Sequence, residues 1–227
     1  MILSILQTTE NGRPGWGFSD VSIMRDGDPN RRLQVTLGIQ FDEAGDLPRL
    51  LKSYCAESGQ YAVQVLPYLS KVNTGNNTAT VLSQARGFHD LLRSAGSDQV
   101  MQRLQIELFK ATSWNPALWW VRANGLGFPL SLLIVADSFL QSNQMRPSLV
   151  QRVRIALPVT SQVDEKNWVT DYTNARHAWL KAAGGAMATS SYRTDCYLRL
   201  IAKGDWELTS EVVMNGNRVR LPETLAS

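Results

Sequence analysis

A chain of 227 residues, 44% hydrophobic and 19% charged, is long enough to bury a core and too apolar to stay disordered. Its 23 basic and 20 acidic residues give a net charge of +3 without a basic run, which argues against nucleic-acid binding. No apolar stretch reaches the roughly 18 residues of a membrane-spanning helix, and two histidines are too few for a histidine-based metal site.

In chain order, Ile2, Leu3, Ile5 and Leu6 predict a short helix over residues 2–9, with Glu10 at its end and Asn11-Gly12 as the stop. This opening segment lacks the basic start and long apolar run of a signal peptide. A leader already removed, another route to the substrate and a place in a longer protein all stay open. Pro14, Gly15 and Gly17 predict a loop. The alternation at Val21 and Ile23, and again at Leu33, Val35 and Leu37, predicts two short strands around a turn at residues 26–30, a small β element over 20–38.

From residue 45 the pattern turns helical. Leu47, Leu50, Leu51 and Tyr54 share one face, and residues 58–69 form another helix, broken or kinked at Pro67. Residues 73–78 are a polar link; further helices are expected over 81–95, 99–111 and 114–123, the last with Pro116 in its first turn. Leu130 to Leu140 reads as a buried helix, which places Asp137 in the most apolar segment of the chain. An ionised carboxylate there needs a basic partner.

Residues 161–183 form the clearest helix, with Trp168, Tyr172, Ala175 and Trp179 on one face and Asp164 and Glu165 in the first turn, where the dipole favours them. Arg176 lies beside that stripe. Another helix over 191–202 carries Arg193, and Asn215-Gly216 marks a hairpin. The expected fold class is mainly α with a small β element, one domain over 1–227. Most of the seven tryptophans read as core anchors, with room for one or two to line a groove. Cys55 and Cys196 match no metal spacing and read as free thiols, though a disulfide stays open outside the cell.

Among the residues that can do chemistry, Glu10 follows an apolar helix, a setting that raises a carboxyl pKa toward that of a general acid. Asp26 and Asp28 lie in a turn, which can hold a second carboxylate or is plain turn chemistry. Thr36 has a hydroxyl that could hold a water, or is simply a strand residue. Asp137, Arg176 and Arg193 form a second group. The arginines either pair with the aspartate or extend to solvent.

These pieces, in their order from Ile5 to Leu221, resemble the chitosanases of glycoside hydrolase family 46. Glu10 ends a helix as the family's catalytic acid does. Met24-Arg25-Asp26-Gly27 resembles the site of its general base, and Thr36-x-Gly38 its Thr-Gly, whose threonine helps hold the attacking water. Gly45-Asp46-Leu47 resembles a unit whose aspartate contacts sugar amines. Trp114-Asn115-Pro116-Ala117, Ala136-Asp137-Ser138, Asn174-Ala175-Arg176 and Ser191-Tyr192-Arg193 follow in the family's order. The stretch from Asp26 to Thr36 is about five residues longer than the family's, which leaves the base open between Asp26 and Asp28 and makes Arg31 or Arg32 the substrate-contacting arginine.

The resemblance implies a lysozyme-like, two-lobed fold with the active-site cleft between the lobes. It implies an endo-acting, inverting hydrolase of a β-1,4-linked amino-sugar polymer, chitosan first. Inversion calls for carboxyls roughly 6.5–9.5 Å apart. Asp137, Arg176 and Arg193 would support the site. No metal or organic cofactor is implied, the partner is a polysaccharide, and a monomer acting outside the cell or in the envelope is expected. The altered lip and the mildly basic charge keep a peptidoglycan glycosidase open, and a non-catalytic carbohydrate-binding protein is the third reading.

Overall fold

The computed structural model of the chain describes residues 1–25, 33–42, 45–72, 79–142 and 164–220. They fall into two compact units: Met1–Gly15 with Ala111–Ser227, and Trp16–Lys110.

The first unit begins with α1 (Ile2–Asn11), whose inner face carries Ile5, Leu6, Thr8 and Thr9. The two threonine hydroxyls donate back to the carbonyls of Ser4 and Ile5, both at 2.8 Å, so buried polar atoms go inside without loss. Gly12 ends the helix in the left-handed region, φ 66°, with its N–H on the Thr8 carbonyl. After Lys110–Trp114, a π-helical turn, come α7 (Asn115–Ala123), α8 (Pro129–Ser142), α9 (Glu165–Ala183), α10 (Gly185–Thr189) and α11 (Tyr192–Lys203). A hairpin of β4 (Val212–Met214) and β5 (Asn217–Val219) follows. Its turn, Asn215-Gly216, has positive φ at both residues, as a two-residue hairpin requires.

The core of this unit is built on α8, whose Leu130, Leu133 and Ile134 are fully buried. Trp168 and Tyr172 of α9 stack at 5.0 Å, and Trp120 of α7 meets Trp168 at 5.4 Å. The acidic start of α9 does more than complement its own dipole. Asp164 caps the helix through the Lys166 N–H, while Glu165 accepts from Gly127 N, Phe128 N and Ser131 Oγ. Gly127 and Phe128 lead into α8 and Ser131 stands in its first turn, so one carboxylate ties two helices where a dipole favours it. Such a partner is invisible to a helix read alone.

The second unit opens with an antiparallel sheet of β1 (Val21–Arg25), β2 (Leu33–Leu37) and β3 (Phe41–Asp42), in that order. The register pairs Val21 with Leu37 and Arg25 with Leu33. The third strand exceeds the sequence expectation. Gly38, at φ 63°, turns the chain back within too few residues for alternation to show. Helices α2 (Leu47–Ala56), α3 (Ala62–Val72), α4 (Ala79–Gln84), α5 (Arg86–Gly96) and α6 (Gln99–Phe109) complete the unit.

One expectation here is narrowed, from a break or a kink at Pro67 to a helix that is not broken there, and one needs correction. Helix α3 runs through Pro67 without a break. The hydrogen bond that proline forfeits would have gone to the carbonyl of Val63, an exposed residue where water can substitute. Conversely, the helix expected over 81–95 is two helices, interrupted at Ala85 with ψ 80°. At this break the Leu82 carbonyl accepts from the Ala85 N–H at 3.1 Å and also from His89 Nε2 at 2.7 Å. Gly96 is required by close approach: a Cβ there would stand 2.3 Å from the Phe18 carbonyl oxygen.

Candidate active site

The first unit gathers four charged side chains named from the sequence. Glu10 stands on the last turn of α1, Asp137 midway along α8, Arg176 on α9 and Arg193 near the start of α11. Arg193 Nη1 donates to Glu10 Oε1 at 2.8 Å and to Asp137 Oδ1 at 3.1 Å. Arg176 Nη2 donates to Asp137 Oδ2 at 2.6 Å. The arginines therefore pair rather than extend to solvent. Helix α8 is buried on nearly every side, and its lone acid meets the bases of α9 and α11.

Burial divides the cluster by what each member can touch. The Asp137 side chain is 0% exposed and Arg176 1%, so neither can reach a polymer. Glu10 keeps 19% of its side chain exposed. The side chain is dry enough for the carboxyl to be perturbed, yet it is not sealed from solvent. Burial pushes its pKa above the ordinary value, and the Asp137 charge pushes the same way; the Arg193 guanidinium pulls back without cancelling them. Arg193 is driven up by Glu10 and Asp137 against its own desolvation, and stays charged.

Two further residues hold this arrangement and were not anticipated. The Tyr192 hydroxyl donates to the Thr9 carbonyl and pins the end of α1 beside Arg193. Gln141, one turn beyond Asp137 on α8, accepts from Arg176 Nη2. Its spacing of four from the buried aspartate is the signal that could have found it.

The remaining sequence candidates belong to the second unit. Thr36 is half-buried on β2, opposite Ser22 and Asp42. Asp46 occupies the N-cap position of α2 but makes no capping bond with its side chain. Burial raises its pKa against the pull of Arg49. Asp26, Asp28, Arg31 and Arg32 lie outside the described residues. Cys55 and Cys196 are both free thiols. Among the described residues, no group of three or more His, Cys, Asp or Glu could hold a metal ion, and no helix is long and apolar enough to cross a membrane.

Solved chitosanase structures share this fold. A family 46 chitosanase from Gynuella sunshinyii, in complex with chitotetraose, is 18% identical over 97% of this chain and 96% of its own, with a TM-score of 0.81. A mutant chitosanase from Bacillus subtilis complexed with six GlcN is 17% identical over 96% and 95%, with a TM-score of 0.76. The native chitosanase from the same organism is 17% identical over 97% of both chains, at 0.77. The fold is thus the mainly helical, lysozyme-like one with a small sheet element. No curated protein sequence matches significantly. The profile of glycosyl hydrolase family 46 matches residues 17–212, a range that holds Thr36, Asp46, Asp137, Arg176 and Arg193 and starts just after Glu10. With most of its length matched and its buried ion cluster assembled on the shared fold, the chain belongs to glycosyl hydrolase family 46 and is a glycoside hydrolase.

Proposed function

We propose that the chain is a chitosanase, which cuts chitosan within the polymer and with inversion at the anomeric carbon. The observation that carries this reading is Glu10: a carboxyl with a raised pKa, gripped by Arg193 and still partly open to solvent. A protonated carboxyl at that position can donate to the glycosidic oxygen as the bond breaks. Asp26, with Asp28 as the alternative, would take the proton of the attacking water, and Thr36 would help hold that water. Arg32 and Asp46 would bind the sugar chain, Asp46 as an acceptor for its amines. Asp137, Arg176 and Arg193 support the acid without touching substrate. We place the work of this enzyme outside the cell or in the envelope, as a monomer of one catalytic domain with two lobes.

Chitosan as substrate is supported by family membership and by the chitotetraose and GlcN complexes of two fold relatives. The test is digestion of chitosan followed by NMR of the first products. A spread of oligosaccharides carrying the α anomer is expected. Release of monomer from chain ends would refute endo action, and β anomers would refute inversion. Cleavage of purified cell wall with chitosan untouched would move the substrate to peptidoglycan. In parallel, Asp26→Asn and Asp28→Asn identify the base, since only one of the two should abolish turnover.

A further inference from the structure

Gln141 lies where a carboxylate would cancel the positive charge that the cluster carries while Glu10 is protonated. Arg176 and Arg193 carry two positive charges, and Asp137 supplies one negative charge. The other acceptor on Arg176 Nη2 is the neutral Oε1 of Gln141. Its amide orientation is fixed. The single proton of Ser190 Oγ is committed to the Met187 carbonyl at 2.7 Å, so Ser190 can only accept from Gln141 Nε2, at 2.8 Å. The amide nitrogen therefore faces Ser190 and the oxygen faces Arg176. Acceptors are scarce around the guanidiniums: Arg176 Nε and Nη1 and Arg193 Nε find none among the described residues.

We infer that Gln141 is a positioning residue for the acid: it anchors Arg176 without adding charge, so the cluster carries one net positive charge while Glu10 is protonated and none once Glu10 ionises. This rests on the assignment of Glu10 as the general acid. Among the described residues, the groups that face Glu10 are Asp137 from α8, Arg176 from α9, and Arg193 with the Tyr192 phenol from α11. The Tyr197 phenol lies by Asp137, Arg176 and Arg193 instead. Arg218 and Arg220 of the β4–β5 hairpin and its exit are held by Glu211 on an exposed face. His177 is bound to Thr194 and lies beside Asp195. A neutral side chain at 141 leaves the positive surplus that limits how far the Glu10 pKa climbs.

The sign at each substitution follows. Gln141→Glu places a carboxylate on Arg176 and cancels the surplus, so ionising Glu10 becomes harder. Gln141→Leu frees Arg176 to draw more fully on Asp137, which leaves Arg193 more completely to Glu10 and makes ionisation easier. The experiment titrates Glu10 directly by carboxyl carbon NMR, assigned by difference from Glu10→Gln, and measures the pH dependence of kcat and of kcat/KM on chitosan. Gln141→Glu should move the Glu10 titration and the alkaline limb upward by about half a unit to one unit. Gln141→Leu should move both downward, with KM little changed. If both variants lower Tm yet leave the titration in place, Gln141 is a packing residue only and the inference is overturned. Because the NMR titration needs no turnover, full activity in Glu10→Gln would refute the acid assignment separately. If one variant fails to fold, the other still decides, since each has its own sign.

Discussion

Asp98 in the second unit and Asp137 in the first both gather donors from several elements, but with different chemistry. Asp98 caps α6 through the Val100 N–H at 3.0 Å, and accepts from the Tyr54 hydroxyl and the Gln60 N–H, both at 2.7 Å. All three donors are neutral and the residue stays half-exposed. Asp137 has no exposure at all and is met by two guanidiniums. Neutral donors suffice to knit a corner of a fold near water. Burying charge without water needs counter-charge, and that is costly as stability but effective at setting the field around one further group, Glu10.

This contrast can be broken at several points. The largest effect is expected from Glu10→Gln, which should lower turnover by about 10²–10⁴-fold with circular dichroism unchanged. Activity within a few-fold of wild type would remove Glu10 from the chemistry. Next, Asp137→Ala should cost about 3–5 kcal/mol in urea unfolding, because it strands Arg176 and leaves Arg193 with Glu10 alone. An unchanged midpoint would mean the cluster is not coupled to the fold. Asp98→Ala should cost less, about 1–2 kcal/mol, the scale of a lost helix cap. Equal losses at the two sites would erase the distinction drawn between them.

The smallest and sharpest test is the pH dependence of stability. At Asp98, burial works upward, but the Tyr54 hydroxyl and the Val100 and Gln60 amides outweigh it and lower the pKa. Its contribution is present above the ordinary aspartate pKa of 3.8 and fades as pH falls through the lowered value. Glu10 is raised, so the folded protein keeps a proton that the unfolded chain gives up. Its contribution is full below the ordinary glutamate pKa of 4.5 and is lost as pH rises through the folded value. Wild type should therefore lose its advantage over Asp98→Asn on acidification, and lose ground to Glu10→Gln on going toward neutrality. Parallel trends in the two comparisons would contradict the opposite directions assigned to these carboxyls.

Much of this molecule is legible from residue order. Apolar spacing alone gives the helices around Leu50, Leu104 and Trp168, and the hairpin at Asn215-Gly216, because those signals are local. The break at Ala85 and the continuity through Pro67 are not, since each depends on what stands beside the backbone: His89 in one case, solvent at Val63 in the other. The need for a basic partner at Asp137 follows from desolvation, whatever the fold.

Glu10 shows the same division. Its place at the end of an apolar helix, its order relative to the later motifs and its likeness to a catalytic acid are properties of the sequence. Which groups hold it was decided only in three dimensions. Arg193 lies 183 residues away in sequence, Tyr192 reaches the carbonyl just before it, and Gln141 acts through Arg176. Charge interactions depend on distance and dielectric, neither of which a sequence encodes locally. The sequence names Glu10 as the candidate acid; the packing of α8, α9 and α11 sets its field.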